Sequence, residues 1–403
     1  MASGGDPAPP EIEAPTFHVN LPWELAMLLR RRGMRPAAPG ERATFAAWVP
    51  PRGPPRRLAP SRPAFRPGVR DPARRGFVEL GQTGTLLKVS NKKALASYLA
   101  EIDKTSWAPL TLERPDQLLC VRGVQEGGED PRLGHAEGLW FLKHASLDRN
   151  EGVSVHLGAE ACHAAWVAMP ADQRELYVAQ PEVRRCLLDA GGRKVSVRVY
   201  VMLVAQVESL PPGARPHALA PMASACALAR REFLCKAHPL PYDPGDPDPA
   251  RHVHCTVDAH EGVTGWPGSA WPLREATWPE LRRLLAECLL PVLPAFAAEA
   301  LGSGAPGRAA EVLGVDIIFD RDLRPWLLEM NQSPALAPVR GNMEATSARS
   351  AVIDDMLKAV LDPVLRSGCS ACLGDIWTPE TVAWDLLGNW KGSVGVADVT
   401  SVP

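Results

Sequence analysis

The chain has 403 residues, of which 46% are hydrophobic and 22% charged, and its formal net charge is −2. This length allows two or three domains with substantial cores, and the composition is typical of a soluble globular protein rather than a disordered one. The longest apolar run, residues 284–301, is interrupted by two glutamates and two prolines, so it predicts a packed helix and excludes a membrane span there.

The amino-terminal part begins with a proline- and acid-rich stretch, followed by a predicted strand over residues 16–19 and a helix over residues 22–32. Residues 30–75 then hold thirteen arginines and only two acidic residues. Such a stretch favours an acidic partner, either a protein tail or nucleic acid, although it can also be a solvated loop with no partner. Few aromatic residues accompany it, so nothing favours nucleic acid in particular.

The stretch beginning at Asp316 predicts an antiparallel hairpin of two apolar strands joined by a polar loop that contains proline. If Phe319 pairs with Trp326, Asp316 lies opposite Glu329, and Asn331 follows on the same face. Two carboxylates about 5 Å apart repel each other unless a cation lies between them, and Mg²⁺ prefers such oxygen ligands. The hairpin therefore predicts a metal site, with a surface hairpin carrying two unrelated acids as the alternative.

A second segment alternates regularly and predicts a strand. Lys194, Ser196, Arg198 and Tyr200 point to one face, and valines point to the other. The two cations suit the neutralisation of phosphates near the predicted metal. An exposed face with solvated cations explains the pattern equally well.

The rest of the chain predicts mixed helices and strands. Strand 138–143 ends in a lysine and leads into a polar loop over residues 145–152, an order that suits a phosphate lid. The last forty residues predict an appendage packed on the outside. The other predicted elements are helices over residues 92–102, 278–290 and 347–365 and strands over residues 153–157 and 176–180.

These residues together carry a resemblance. The pattern Lys194-x-x-x-Arg198 on a strand, followed by Asp316 and by Glu329-x-Asn331 within PWLLEMNQSPAL, resembles the tubulin tyrosine ligase-like family. Members of that family are ATP-grasp enzymes that join an amino acid to a tubulin carboxyl group. The hairpin is the most specific part of the resemblance.

The resemblance covers residues 16–365, nearly the whole family core. It implies an α/β (α+β) ATP-grasp fold that holds the nucleotide between two sheets, preceded by a small α/β amino-terminal domain. The predicted divisions are a disordered amino terminus (1–15), the small domain with its Arg/Pro-rich loop (16–80), a central ATP-grasp subdomain (81–180), a carboxy-terminal subdomain with the metal site (181–366) and the appendage (367–403).

The resemblance also implies ATP and Mg²⁺ as cofactors and assigns roles to individual residues. The lysines would contact phosphates, the glutamine would lie near adenine, and the arginines would hold carboxylates or stabilise anionic intermediates. The implied residues are Lys88, Lys143, Gln180, Lys194 and Ser196 for the nucleotide, Asp316, Glu329 and Asn331 for the metal, and Arg198 and Arg231 for catalysis.

The implied reaction begins when an acceptor carboxylate attacks the γ-phosphate of ATP and forms an acylphosphate. The amine of a free amino acid, glutamate in most branches of the family, then displaces phosphate. The expected partners are tubulin or microtubules, or another acidic tail, with neither a membrane nor nucleic acid involved. The expected state is a monomer in the cytoplasm and cytoskeleton, cilia or flagella included; the absence of a basic-then-apolar leader and of disulfide spacing fits a reducing compartment.

Three departures from the family pattern keep a second interpretation open. Ser196 replaces the aspartate of K-F-D-x-R, the lid over residues 146–152 keeps one glycine, and H-L-T-N appears as His254-Cys-Thr-Val257. The alternative is therefore a catalytically weak or inactive homologue that binds nucleotide and microtubules as a regulator. A third interpretation, a nucleic-acid-associated scaffold, rests on the arginine-rich stretch alone.

Overall fold

The structure, a computed structural model, describes most of the predicted core. The described residues are 16–19, 23–36, 45–47, 78–80, 84–124, 137–147, 152–207, 222–252, 264–301, 308–332, 334, 336, 343–362 and 384–393. The predicted disordered amino terminus, most of the arginine-rich stretch, residues 148–151 of the lid and the segment His254–Val257 lie outside these residues.

Fourteen strands are found among the described residues: β1 Thr16–Val19, β2 Arg35–Pro36, β3 Phe45–Ala47, β4 Val78–Leu80, β5 Leu139–His144, β6 Val153–Leu157, β7 Tyr177–Pro181, β8 Val195–Val207, β9 Met222–Arg230, β10 Leu234–Ala237, β11 Thr264–Pro267, β12 Arg308–Phe319, β13 Pro325–Gln332 and β14 Trp384–Ser393. The same residues form ten α-helices: α1 Trp23–Arg31, α2 Leu87–Ser90, α3 Lys92–Glu101, α4 Pro115–Val124, α5 Ala159–Ala168, α6 Ala171–Arg174, α7 Pro249–His252, α8 Arg274–Leu289, α9 Leu293–Leu301 and α10 Met343–Val360.

Eleven strands form one large sheet around β8 and β12, which pair antiparallel along most of their length. β8 also pairs with β10 near its start and with β9 near its end, while β12 pairs with β13 and, in parallel, with β4. The strands β4, β3, β1 and β2 continue the sheet through parallel pairings. The amino-terminal strands are therefore joined to the main sheet through β4 and β12.

Helices cover both faces of this sheet. On one face the inward valines of β8 pack with α3, α8 and α9, as in the contact of Val197 with the cluster that holds Leu281 and Phe296. On the other face Tyr200 and Met202 join a second cluster with α1 and α10. This second face is covered by α1 and α10 only over one half of β8, which leaves the half that carries Lys194 and Arg198 to face the small sheet.

The small sheet has three antiparallel strands in the order β6-β5-β7. Trp140 and Leu142 of β5 pack against α4 and α5 on its outer side, in a cluster with Trp166. Phe141 and Lys143 alternate with them and therefore face the other way, toward the large sheet. The α+β architecture with two sheets agrees with the predicted fold class.

The carboxy-terminal strand corrects one expectation. The last forty residues were expected to pack on the outside, but β14 pairs with β9 along its whole length as part of the large sheet. Trp384 is 1% exposed, and the indole of Trp278 donates to Asp385 at 2.8 Å. The alternation of this segment is too weak to predict a buried strand. Among the helices of the described residues, none is long and apolar enough to cross a bilayer.

Candidate active site

The hairpin β12–β13 brings the two predicted acids together, but not through the predicted register. Phe319 pairs with Pro325 and Ile318 with Trp326, so the expected pairing of Phe319 with Trp326 is wrong. A β-bulge after Asp316 then shifts the ladder by one residue, and Asp316 pairs with Glu329. The loop is one residue shorter than predicted, which alone would shift the pairing of Asp316 by one residue. The bulge adds one residue to β13 and so restores the pairing of Asp316 with Glu329.

Asp316 is completely buried and accepts four hydrogen bonds from side chains. Arg198 donates Nε to Oδ1 at 2.9 Å and Nη2 to Oδ2, which makes a bidentate pair. Lys236 Nζ donates to Oδ1 at 3.2 Å, and Asn331 Nδ2 donates to Oδ2 at 3.2 Å. A carboxylate offers about four lone-pair positions, so these donors use its acceptor capacity in full.

Glu329 lies beside Asp316 at the edge of the large sheet and is partly exposed. Its Oε1 accepts from Asn331 Nδ2 at 2.9 Å and lies 4.0 Å from Arg198 Nη2. Its Oε2 lies 3.5 Å from Lys92 Nζ, which also donates to the carbonyl of Leu147 at 3.1 Å. Lys92 therefore ties α3 and the entrance of the lid to the acidic hairpin.

The small sheet contributes Lys143 and Gln180 to the same cleft. Lys143 Nζ donates to Gln180 Oε1 at 2.8 Å, and Gln180 Nε2 donates to Thr111 Oγ1 at 2.8 Å. Burial lowers the pKa of Lys143 to about 8, with a further decrease from the nearby charge of Lys92 that Glu329 partly offsets. A partly buried ammonium that donates to a neutral amide is suited to a negatively charged ligand.

Lys194 is fixed by a separate network at the floor of the cleft. It forms an ion pair with Glu182 and lies 5.7 Å from the ring centroid of Phe141 and 4.8 Å from that of Tyr242. The Tyr242 hydroxyl donates to Glu182 at 2.9 Å, and His252 Nδ1 lies 3.8 Å from the same carboxylate. Lys194 bridges the two sheets in this way.

The cleft carries more positive than negative charge. The acids are Glu182, Asp316 and Glu329, whereas the cations contributed by both sheets and by α3 are Lys92, Lys143, Lys194, Arg198 and Lys236. Burial lowers the pKa of Lys236. Burial acts in the same direction on Arg198, but the neighbouring Asp316 carboxylate outweighs it, and the pKa of Arg198 is raised. In a low-dielectric cleft such an excess of charge favours an anion such as a phosphate.

The remaining predicted residues lie in different places. Ser196 of β8 is fully buried between Arg198 and Lys194, which directly precedes the strand, and the Ser196 hydroxyl has no hydrogen-bond partner among the described residues. Lys88 is exposed on α2, next to β13. Arg231 lies in the turn before β10 and pairs with Glu275 on α8 at 2.7 Å. The structure therefore does not bring Arg231 to the cleft.

Sequence reasoning missed three residues of the cleft: Lys92, Glu182 and Lys236. Lys92 is four residues from the predicted Lys88, and Lys236 is five residues from the predicted Arg231. The strand Leu-Cys-Lys-Ala of β10 alternates toward the same face as Ser196, which is the signal that could have identified Lys236. Glu182 gives no comparable signal, because it follows β7 in a loop.

The hairpin offers the types of ligand that a hard cation prefers, carboxylate and amide oxygens. The Asn331 amide lies within hydrogen-bond distance of both carboxylates, and its oxygen becomes available when the amide is inverted. Among the described residues, however, no group of three His, Cys, Asp or Glu side chains is arranged for a metal ion. The cations that lie against Asp316 must move for a metal to bind this carboxylate.

Comparison with known proteins agrees with the predicted resemblance. Residues 294–368, which include α9, the β12–β13 hairpin and most of α10, match the sequence model of the tubulin-tyrosine ligase family. The chain is also similar to the tubulin monoglycylase TTLL3 of Danio rerio, with 51% identity over 51 residues. That alignment spans 12% of this chain and 6% of the relative. The resemblance of the chain to the tubulin tyrosine ligase-like family is confirmed.

Proposed function

We propose, from the premise that this chain carries a tubulin-tyrosine ligase family segment at residues 294–368, that it is an ATP-dependent ligase joining an amino acid to a carboxyl group. The acceptor is tubulin or another acidic protein tail. The observation that carries the proposal is the pair Asp316 and Glu329, which faces a cleft lined by cations from two sheets.

In this proposal the residues of the cleft hold and orient the phosphates of ATP. Lys143 and Lys194 supply fixed positive charge from the two sides of the cleft, and Arg198 supplies a planar donor next to Asp316. Mg²⁺ held by Asp316, Glu329 and Asn331 would neutralise phosphate charge when bound.

The chemistry consists of two displacements. An oxygen of the acceptor carboxylate attacks the γ-phosphorus, the bond to the β–γ bridging oxygen breaks, and ADP leaves with an acylphosphate formed. The amine of the amino acid then attacks the acyl carbon and inorganic phosphate leaves, while the amine loses a proton. Preorganised cations favour both steps because negative charge accumulates on the phosphoryl oxygens.

The amino acid that is added has two candidates. Glutamate is the one that most branches of the family use, and it is the candidate from sequence. Glycine is the second candidate, because the similar Danio rerio protein is named a monoglycylase. We propose an assay that compares both amino acids with tyrosine rather than one amino acid alone.

The test is transfer of radiolabelled glutamate, glycine or tyrosine to tubulin in the presence of ATP and Mg²⁺. Wild-type protein is expected to label tubulin with one of the three, and Glu329→Gln is expected to reduce the rate by about 100-fold or more. Glu280→Gln, an exposed substitution on α8, serves as the matched control and should keep the wild-type rate. No transfer of any of the three by a protein that binds ATP contradicts the enzyme proposal.

A nucleotide-binding regulator without turnover is the second candidate. Ser196 favours it, because the family has an aspartate at this position and the serine hydroxyl here has no partner among the described residues. Ser196→Asp should create activity if the missing acid is the defect. An already high wild-type rate that Ser196→Asp leaves unchanged contradicts this second candidate.

The arginine-rich stretch at residues 30–75 is our proposed docking segment for an acidic tail, and the cytoplasm and cytoskeleton are the proposed location. Binding to microtubules should weaken with salt and decrease when the acidic tubulin tails are removed by proteolysis. Binding that is insensitive to both treatments contradicts this docking mode.

A further inference from the structure

Lys236 reaches Asp316 across an intervening strand. On β10 it lies opposite Ser196 of β8, and β8 in turn separates β10 from β12. Asp316 belongs to β12 and pairs with Arg198, one pleat away from Ser196. The backbones of Lys236 and Asp316 are therefore about 10 Å apart, two strand spacings, and both side chains extend over β8 to make the 3.2 Å hydrogen bond.

The side chain of position 196 lies directly under this path. Ser196 is completely buried, points to the same face as Lys236, and its hydroxyl has no partner among the described residues. A larger side chain here would occupy the space through which Lys236 passes. Directly opposed residues have Cβ atoms about 5 Å apart, so the two side chains cannot both fill the same space.

The contact of Lys236 has a consequence for cation binding. Oδ1 of Asp316 already accepts from Arg198, and the ammonium of Lys236 takes the remaining lone-pair position on that oxygen. A divalent cation that binds Asp316 needs the same lone pair and is repelled by the same positive charge. Arg198 is held by its bidentate geometry, whereas Lys236 makes a single contact at the end of a flexible chain.

We propose that Lys236 is a built-in counter-ion of Asp316 that competes with a divalent cation for this carboxylate, and that the small side chain of Ser196 lets Lys236 reach it. Cation binding then requires Lys236 to withdraw from Asp316. The inference shares its carboxylates with the proposed function, but it concerns cation affinity in the absence of nucleotide and does not require transfer activity.

The test is Mn²⁺ binding to the nucleotide-free full chain, measured from the loss of the electron paramagnetic resonance signal of free Mn²⁺. Lys236→Met keeps most of the length of the side chain and removes the charge, and it is expected to tighten Mn²⁺ binding about tenfold or more. Lys143→Met is the matched control, because Lys143 is also a lysine of the cleft, partly buried, but donates to Gln180. Lys143→Met should change the Mn²⁺ affinity by less than about threefold, since it alters only the electrostatic potential of the cleft and removes no contact with Asp316.

Position 196 supplies a second pair of variants that leave the charge unchanged. Ser196→Leu should tighten Mn²⁺ binding by obstructing Lys236, whereas Ser196→Ala should leave the affinity at the wild-type value. Equal affinities of wild type and Lys236→Met, an equal gain in Lys143→Met, or no Mn²⁺ binding by any variant overturns the inference. A gain in Lys236→Met together with absent amino acid transfer leaves the inference standing and contradicts the proposed function instead.

Discussion

Asp316 is the carboxylate that neutralises two buried cations of the cleft, Arg198 and Lys236. It is completely buried, and Arg198 and Lys236 beside it are 7% and 3% exposed. Burial of an ion is costly unless a partner of opposite charge is hydrogen-bonded to it, and removing one partner leaves the other uncompensated. The acid therefore has a structural role that is separate from any ligand.

Asp316→Asn is expected to lower the free energy of unfolding by about 3 kcal/mol or more, because two buried cations lose their counter-charge. Urea unfolding of the nucleotide-free protein measures this change. Asp322→Asn is the matched control, since Asp322 makes an exposed ion pair with Arg185 and should change stability by less than about 0.5 kcal/mol. Equal small changes in both variants would show that Asp316 is not needed to neutralise the cluster.

Lys143 gives the cleft a pH dependence. Its pKa of about 8 lies below the ordinary lysine value of 10.5, so the side chain loses its charge as the pH rises through 8. Nucleotide affinity that depends on this charge should weaken about tenfold for each pH unit above 8. The unliganded protein should change in the opposite direction, because the cost of the buried charge disappears between pH 8 and 10.5 and the free energy of unfolding rises.

Isothermal titration of an ATP analogue between pH 7 and 9.5 measures this dependence, and Lys143→Met should remove most of it. A wild-type affinity that stays constant over this range would mean that another group supplies the charge. Lys104→Met, which removes a partly exposed ion pair with Glu287, is the control for general effects of pH and charge.

At the scale of single elements, the bulge in β13 explains how Trp326 and Glu329 share a face although they are three residues apart. Regular alternation would place them on opposite faces. At the bulge, Leu327 and Leu328 of β13 together lie opposite the single residue Ile317 of β12. Glu329 therefore lies on the same face as Trp326. The pairing of Asp316 with Glu329 was predictable from residue spacing, but the bulge was not. A five-residue loop followed by a bulge and a six-residue loop without a bulge both place Asp316 opposite Glu329.

Deletion of Leu328 is expected to convert β13 into a regular strand and to keep Glu329 opposite Asp316. Stability should change by about 1–2 kcal/mol, since a partly buried leucine is lost, and ATP-analogue binding should persist. Deletion of Met330 is the matched control, because it moves Asn331 to the opposite face and should abolish binding. Loss of binding after both deletions would contradict the assigned register.

Lys92 is the first residue of α3, and the cap at the start of this helix fixes its position. Asn91 caps the helix by accepting from the backbone amides of Lys93 and Ala94 at 2.9 and 3.2 Å. Asn91→Ala should cost about 1 kcal/mol of stability, as measured by thermal unfolding, and Asn91→Ser should restore most of it. If the serine variant is as unstable as the alanine variant, the side chain of Asn91 acts through Ser146, to which it also donates at 2.8 Å, rather than through the cap.

At the scale of the whole molecule, the cleft exists because the small sheet faces the uncovered half of the large sheet. The alternation of β5 and β8 made the faces of Lys143, Lys194 and Arg198 predictable. The partners Glu182 and Lys236 come from a loop and from a four-residue strand, and their positions depend on long-range pairing that no local pattern specifies. The same reason applies to β14, which pairs with a strand far away in the chain.

Two truncations test whether β14 is part of the core. Ending the chain after residue 383 removes the strand that pairs with β9, together with buried Trp384 and the acceptor of the Trp278 indole. We expect a loss of more than about 4 kcal/mol or no folding, because a buried tryptophan alone contributes about 3–5 kcal/mol and the edge of β9 becomes unpaired. Ending the chain after residue 393 keeps every described contact of β14 and should leave urea unfolding unchanged. A stable protein that ends at residue 383 would mean that β14 is dispensable and that the core is complete without it.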